Sequence, residues 1–151
     1  MAAPMPREHP GLDYLGLLKE ELIGHVRRAR GALDAGEAGA AGGTASAVCA
    51  DAMHQVQGVL RTLGLERLAL LAEALALAAR ELGGVSPERR EDLVAILRNG
   101  LDQLRDGVEQ RAAGRPEAVW GLVAALNDLR ASLALPLVSE TCLFAPGLEA
   151  V

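Results

Sequence analysis

Aromatic residues are almost missing from this chain of 151 residues, which has one Trp, one Tyr and one Phe. Aromatic and β-branched side chains are the usual filling of sheets, so their scarcity argues against an all-β fold. Cysteine is scarce too. Cys49 and Cys142 lie far apart and make no disulfide framework, and reduced thiols in a cytoplasmic protein are the simpler reading. No run of Lys or Arg stands out, and the formal net charge is −5, which disfavours nucleic acid as a partner. The N-terminus lacks the charged, apolar, small-residue order of a secretion signal. The most apolar stretch, residues 65–82, contains Glu66, Arg67, Glu73, Arg80 and Glu81, so it reads as a buried helix and not as a membrane span.

What is present in quantity is Ala, Leu, Glu and Arg, all strong helix formers, in a chain long enough for one domain with a real core. Residues 1–10, with Pro4, Pro6 and Pro10, read as a flexible leader. From Gly11, the residues Leu12, Leu15, Leu22, Val26 and Leu33 recur at helical spacing up to about Asp34–Gly36. A Gly/Ala loop over 36–43 follows. Thr44 or Ser46 is suited to cap a second helix, which Gly64 stops after Leu63. The third helix spans about 65–82 and is apolar on most sides, as expected of a helix surrounded by others. Ser86-Pro87-Glu88 starts a fourth helix with Leu93, Leu97, Leu101, Leu104 and Val108 as its stripe, which Gly100 and Gly107 weaken. Pro116-Glu117 starts a fifth, with Val119, Leu122, Val123, Leu126, Leu129 and Leu133 as its buried face; Pro136 ends it, and Trp120 packs beside that stripe. Beyond it an extended tail would pack through Leu143 and Phe144. The pattern predicts an all-α antiparallel bundle of about five helices, four of them forming the bundle. Residues 11–135 form the domain, and 136–151 are a tail or the start of a linker to further domains.

The second helix carries the most informative residue. At 100° per residue, Cys49, Met53, Val56, Leu60 and Leu63 fall within an arc of roughly 80°, and His54 lies about 140–160° from its centre. Ala47, Ala50, Gly58 and Arg61 share the side of His54, with Gln57 at its edge. The neighbours are small, and a mid-helix glycine on an exposed face suits the close approach of another protein. An imidazole nitrogen is nucleophilic near neutral pH, which suits it to carry a phosphoryl group between proteins. Elsewhere the chemistry is thin. His25 sits at the edge of the first helix's apolar face as a packing residue, and His9 is in the leader. The histidines lack metal-ligand spacing. No nucleophile, base and orienting acid can be assembled, and Gly39–Gly43 follows no strand that would make it a phosphate loop.

The segment around His54 resembles the histidine phosphotransfer (HPt) motif, His-x-apolar-Lys-Gly followed by apolar-Gly. His54, Val56, Gly58, Leu63 and Gly64 match it. Gln57 stands where that family usually has lysine, and Leu60 where it has a small residue. From Leu12 to Leu148, including residues 53–58 and the closing Ser139-Glu140-Thr141-Cys142-Leu143-Phe144-Ala145-Pro146, the chain resembles the N-terminal region of chemotaxis-type hybrid histidine kinases of type IV pilus twitching systems (the ChpA/PilL type). The scaffold protein FimL shares that region. The resemblance implies an HPt-like four-helix core with His54 as phosphoacceptor. Gln57, Gly58, Arg61, Ala47 and Ala50 would support phosphate or dock a partner. It implies a response-regulator receiver domain and a kinase core as partners, with a polar pilus scaffold protein as another, and no direct membrane insertion. No cofactor is expected in this chain, while Mg2+ is expected on the receiver. No ATP-lid pattern or receiver-like strand–helix alternation is present, so the kinase core of the longer protein it resembles is not in this chain. A neutral Gln57 leaves phosphate charge less well offset than lysine would, and Arg61 is the residue that could reach back to supply it. A non-catalytic docking or scaffold module, keeping the bundle without phosphotransfer, is the second reading.

Overall fold

Apolar residues at helical spacing close into five helices: α1 (Pro10–Glu37), α2 (Gly42–Thr62), α3 (Glu66–Glu81), α4 (Pro87–Ala112) and α5 (Val119–Ser132). The computed structural model describes residues 10–37 and 42–138, and no strand occurs among them. The leader, with His9, and the tail residues Cys142, Leu143 and Phe144 lie outside the described residues, as does the side chain of Leu12. None of the described helices is long and apolar enough to cross a membrane.

The helix ends follow local chemistry. At Gly64 (φ +76°) the N–H bonds back to the carbonyl of Arg61, and that of Leu65 to Leu60. This is the left-handed glycine stop read from the sequence, and it satisfies carbonyls that the helix leaves free. Gly114 (φ +78°) ends α4 in the same way. The Ser86 side chain accepts from the Arg89 N–H, with Pro87 at the first helical position. Two expected starts differ. Thr44 and Ser46 lie inside α2, which begins at Gly42. Ser46 is buried, and its hydroxyl donates to the Ala79 carbonyl at 2.5 Å, tying α2 to the C-terminal turn of α3. The fifth helix begins at Val119, past Pro116-Glu117. Glu117 is 7 % exposed and held in ion pairs with Arg67 and Arg111, both at 3.4 Å, which pins the α4–α5 connection under the bundle.

The helices α1, α2, α3 and α4 form a four-membered ring in which each packs on the next, and α5 lies across α3 and α4. The short α2–α3 and α3–α4 connections make those neighbours antiparallel. α3 buries nine residues, among them Leu68, Leu71 and Leu75, as befits its central place. Gly100 and Gly107 are not merely weak points of α4. A Cβ on Gly100 would lie 2.7 Å from Leu75 Cδ2, and one on Gly107 2.5 Å from Leu68 Cδ2, so the two leucines of α3 fill spaces that only glycine leaves on α4. On the opposite seam Arg30 pairs with Asp102, and Arg98 with Asp34 at 2.5 Å, fixing the antiparallel register of α1 on α4.

Trp120 departs from the sequence reading. It is 71 % exposed, because α5 packs on α3 and α4 through the side carrying Leu122, Ala125, Leu126 and Leu129. Val119, Val123 and Leu133, expected on that buried face, are only half-buried. After α5 the chain turns back along the helix. The Asn127 amide donates to the Val138 carbonyl at 3.1 Å and its oxygen accepts from the Val138 N–H at 2.8 Å.

Candidate functional site

The site is a face of α2. Cys49, Ala52, Met53, Val56 and Leu60 point into the core, while Ala47, Asp51, His54, Gln55, Gly58 and Arg61 are exposed on the other side. His54 therefore stands outside the bundle in mid-helix, and no hydrogen bond or ion pair ties its ring to the other described residues. The helix beneath it is rigid because its inner face is wholly buried against α1 and α3. An imidazole so held can offer a ring nitrogen to a visiting group without any movement of the fold.

The residues grouped with His54 in the sequence reading separate into three sets. Ala47 and Gly58 are exposed beside it, and Gln57 is half-buried at the edge. Ala50 is only 4 % exposed and belongs to the core, so it is not available to a partner. It lies on the flank of α2 that Ser46, one turn earlier, ties to α3, and helical periodicity alone does not show that α3 covers this flank. Arg61 is exposed but engaged: its guanidinium donates to Glu73 of α3 at 2.9 Å. The cation expected to support phosphate on His54 thus has a carboxylate partner at rest. Asp51, one turn before His54 on the same face, was missed by the sequence reading, although its spacing of three residues could have revealed it.

Next to this face runs a groove between α1 and α2 of ≈ 480 Å³, lined by Leu18, Glu21, His25, Gln55, Gly58 and Leu63 among others. His25 is half-buried there, with Nε2 3.9 Å from Glu21 Oε1, in keeping with a packing position at the edge of the core. Gly58 forms part of the groove wall, and a Cβ built on it meets nothing within 4 Å. Nothing in the fold requires glycine at 58. Gly58→Ala should raise stability by about 0.5–1 kcal/mol, measured by urea denaturation, because alanine restricts the unfolded chain and favours the helix. If small size at this position serves a partner, the same variant should bind that partner more weakly.

The remaining candidate chemistry is inert. Cys49 is a free thiol with no exposed surface, and burial pushes it up to about 12, which leaves it protonated and unreactive near neutral pH. Among the described residues no group of three or more His, Cys, Asp or Glu side chains is placed to hold a metal ion.

Comparison with known proteins agrees with this geometry. The family model of the Hpt domain matches residues 13–107, which run from α1 to the second glycine of α4 and so take in most of the four-helix ring. The chain is 32 % identical over 140 residues, 92 % of its length, to the scaffold protein FimL of Pseudomonas aeruginosa, and spans 25 % of that relative. No solved structure matches it.

Proposed function

The chain belongs to the histidine phosphotransfer (Hpt) domain family, and from that membership we propose that it is a phosphorelay module in which His54 accepts and passes on a phosphoryl group. The observation that carries this reading is the exposed imidazole in mid-helix, opposite the buried stripe of α2. In the step we envisage, a ring nitrogen of His54 attacks the phosphorus of a receiver's aspartyl phosphate. The acyl oxygen–phosphorus bond breaks, the aspartate leaves as carboxylate, and the imidazole N–H proton passes to solvent. The receiver supplies the aspartate and Mg2+, and this chain supplies a fixed nucleophile and a surface to dock on. A kinase core, in the same or a related protein, is the other source of phosphate. We further assign the module to a cytoplasmic chemosensory system of type IV pili that controls twitching motility. That assignment rests on the similarity to FimL and on the resemblance of residues 139–146 to the pilus kinases.

One feature favours a second reading, a docking or scaffold module for response regulators or polar pilus proteins. The side chains that would balance phosphate charge are a neutral Gln57 and an Arg61 already paired with Glu73. A charge-assisted bond is roughly twice as strong as a neutral one, so phosphate at His54 is held less firmly than where lysine follows one turn on.

Incubation with a kinase core and ATP, or with a phosphorylated receiver, separates the two. Phosphotransfer predicts acid-labile, base-stable phosphate on the chain that is lost in His54→Gln. Label that survives the substitution excludes His54 as the acceptor. Receiver binding without label, equal in parent and variant, favours docking.

A further inference from the structure

We propose that Glu73 belongs to the phosphate site: it holds Arg61 at rest, and a phosphoryl group on His54 draws the guanidinium away from it. The inference rests on the reading of His54 as a phosphoacceptor.

Three observations support it. First, the register of α2 on α3 sets Glu73 at about the level of His54 along the bundle. Ser46 contacts the carbonyls of Ala79 and Arg80. Eight residues further along α2 stands His54, and eight residues back along the antiparallel α3 stand Leu71 and Ala72, next to Glu73. Second, the Arg61–Glu73 pair lies on the same side. Arg61 is seven residues after His54, only about 20° away around the helix. Helical side chains lean toward their N-terminus, so Arg61 leans along α2 toward His54, and Glu73 leans along α3 to meet it. The 2.9 Å contact therefore holds the guanidinium part of the way to the imidazole. Third, Arg61 and Glu73 are 48 % and 42 % exposed, so the pair can open at little cost. A phosphoryl group carries more negative charge than a carboxylate and offers three acceptor oxygens, so it outcompetes Glu73 for the same fork of donors.

Glu73 thus sets how firmly His54 holds phosphate. While it keeps Arg61, phosphate at His54 faces a competitor for that guanidinium. Neutralising Glu73 should strengthen the phosphorylated state, and removing Arg61 should weaken it.

The test needs no protein partner. A chain carrying His9→Gln and His25→Gln, so that His54 is its one histidine, is treated with phosphoramidate. The imidazole nitrogen attacks phosphorus, the phosphorus–nitrogen bond of the donor breaks, and ammonia leaves with the proton. The equilibrium of phosphoryl exchange between His54 and free imidazole is then read by 31P NMR. Glu73→Gln should shift it toward phosphorylated His54 by about three- to fivefold, and Arg61→Ala by about as much the other way. Arg61→Lys should restore part of the loss. In an Arg61→Ala background, Glu73→Gln should change the equilibrium less than about twofold, because no guanidinium remains to be released.

An unshifted equilibrium in Glu73→Gln overturns the proposal. So does a full gain that persists without Arg61, which would mean that Glu73 acts by repulsion alone. Failure of a kinase or receiver to label the chain would instead remove the proposed function and leave this exchange measurable. Phosphoramidate that labels free imidazole but not His54 would overturn both.

Discussion

Gly107→Ala is expected to destabilise the chain, although alanine is the better helix former by about 1 kcal/mol. The added methyl would lie 2.5 Å from Leu68 Cδ2, and Leu68 is fully buried, so the leucine must shift within a packed core. Overpacking of this kind costs about 1–3 kcal/mol, which exceeds the gain in propensity. Gly107→Leu, with three further carbons in the same space, should abolish cooperative unfolding. Gly100→Ala should behave like Gly107→Ala, because Leu75 fills the equivalent space one heptad away. The seam should also show coupling. In a Leu68→Ala background, itself destabilised by about 2–5 kcal/mol, Gly107→Ala should turn neutral or stabilising, because the methyl then enters the space the leucine left. Urea midpoints for the two single variants and the double variant give the coupling directly. Destabilisation by Gly107→Ala that is undiminished in the double variant would contradict this packing.

The second large effect is expected at Glu117. This carboxylate is almost wholly buried between Arg67 of α3 and Arg111 of α4, at the connection that leads into α5. Removing one partner of a buried ion pair typically costs 3–5 kcal/mol, because the remaining charge stays desolvated. The arginine side chains are 26 % and 23 % exposed, so both reach some water, and Glu117→Ala should lie near the lower end, at about 3 kcal/mol. Glu117→Gln keeps the shape and the acceptor oxygen and should cost less. The loss should be read in denaturant midpoints and, locally, as faster amide exchange in α5. A Glu117→Ala chain as stable as its parent would mean that the arginines are satisfied without it.

Much of the architecture was legible in the residues because it depends on local rules. Leucine spacing, Gly64 as a stop and Ser86-Pro87 as a start each follow from short-range chemistry, and five helices formed in the expected order, with the starts of α2 and α5 displaced. The face of His54 followed from the same periodicity. What was not legible depends on which helix lies beside which. Ala47 and Ala50 are the same residue type on the same half of α2, yet the flank tied to α3 buries Ala50 and leaves Ala47 open. Trp120 was expected to pack, but it stands on a side of α5 that α3 and α4 leave exposed. Glu117 read as a helix start because Pro-Glu commonly begins helices, while its true partners lie fifty residues back in α3 and on the preceding helix. Gly100 and Gly107 read as propensity defects because the leucines they accommodate are on another helix. The pairing of Arg61 with Glu73 belongs to the same class, for it needs the α2–α3 register.

His54 can serve a receiver only if the exposed side of α2 is the working face of the molecule. Backbone amide shifts on mixing the 15N-labelled chain with a phosphorylated receiver test this most directly. The largest changes should centre on Ala47, Asp51, His54, Gly58 and Arg61 and fade toward the opposite side of the bundle. Changes centred instead on exposed apolar side chains elsewhere, such as Trp120 and Leu137, with the α2 residues unmoved, would contradict it.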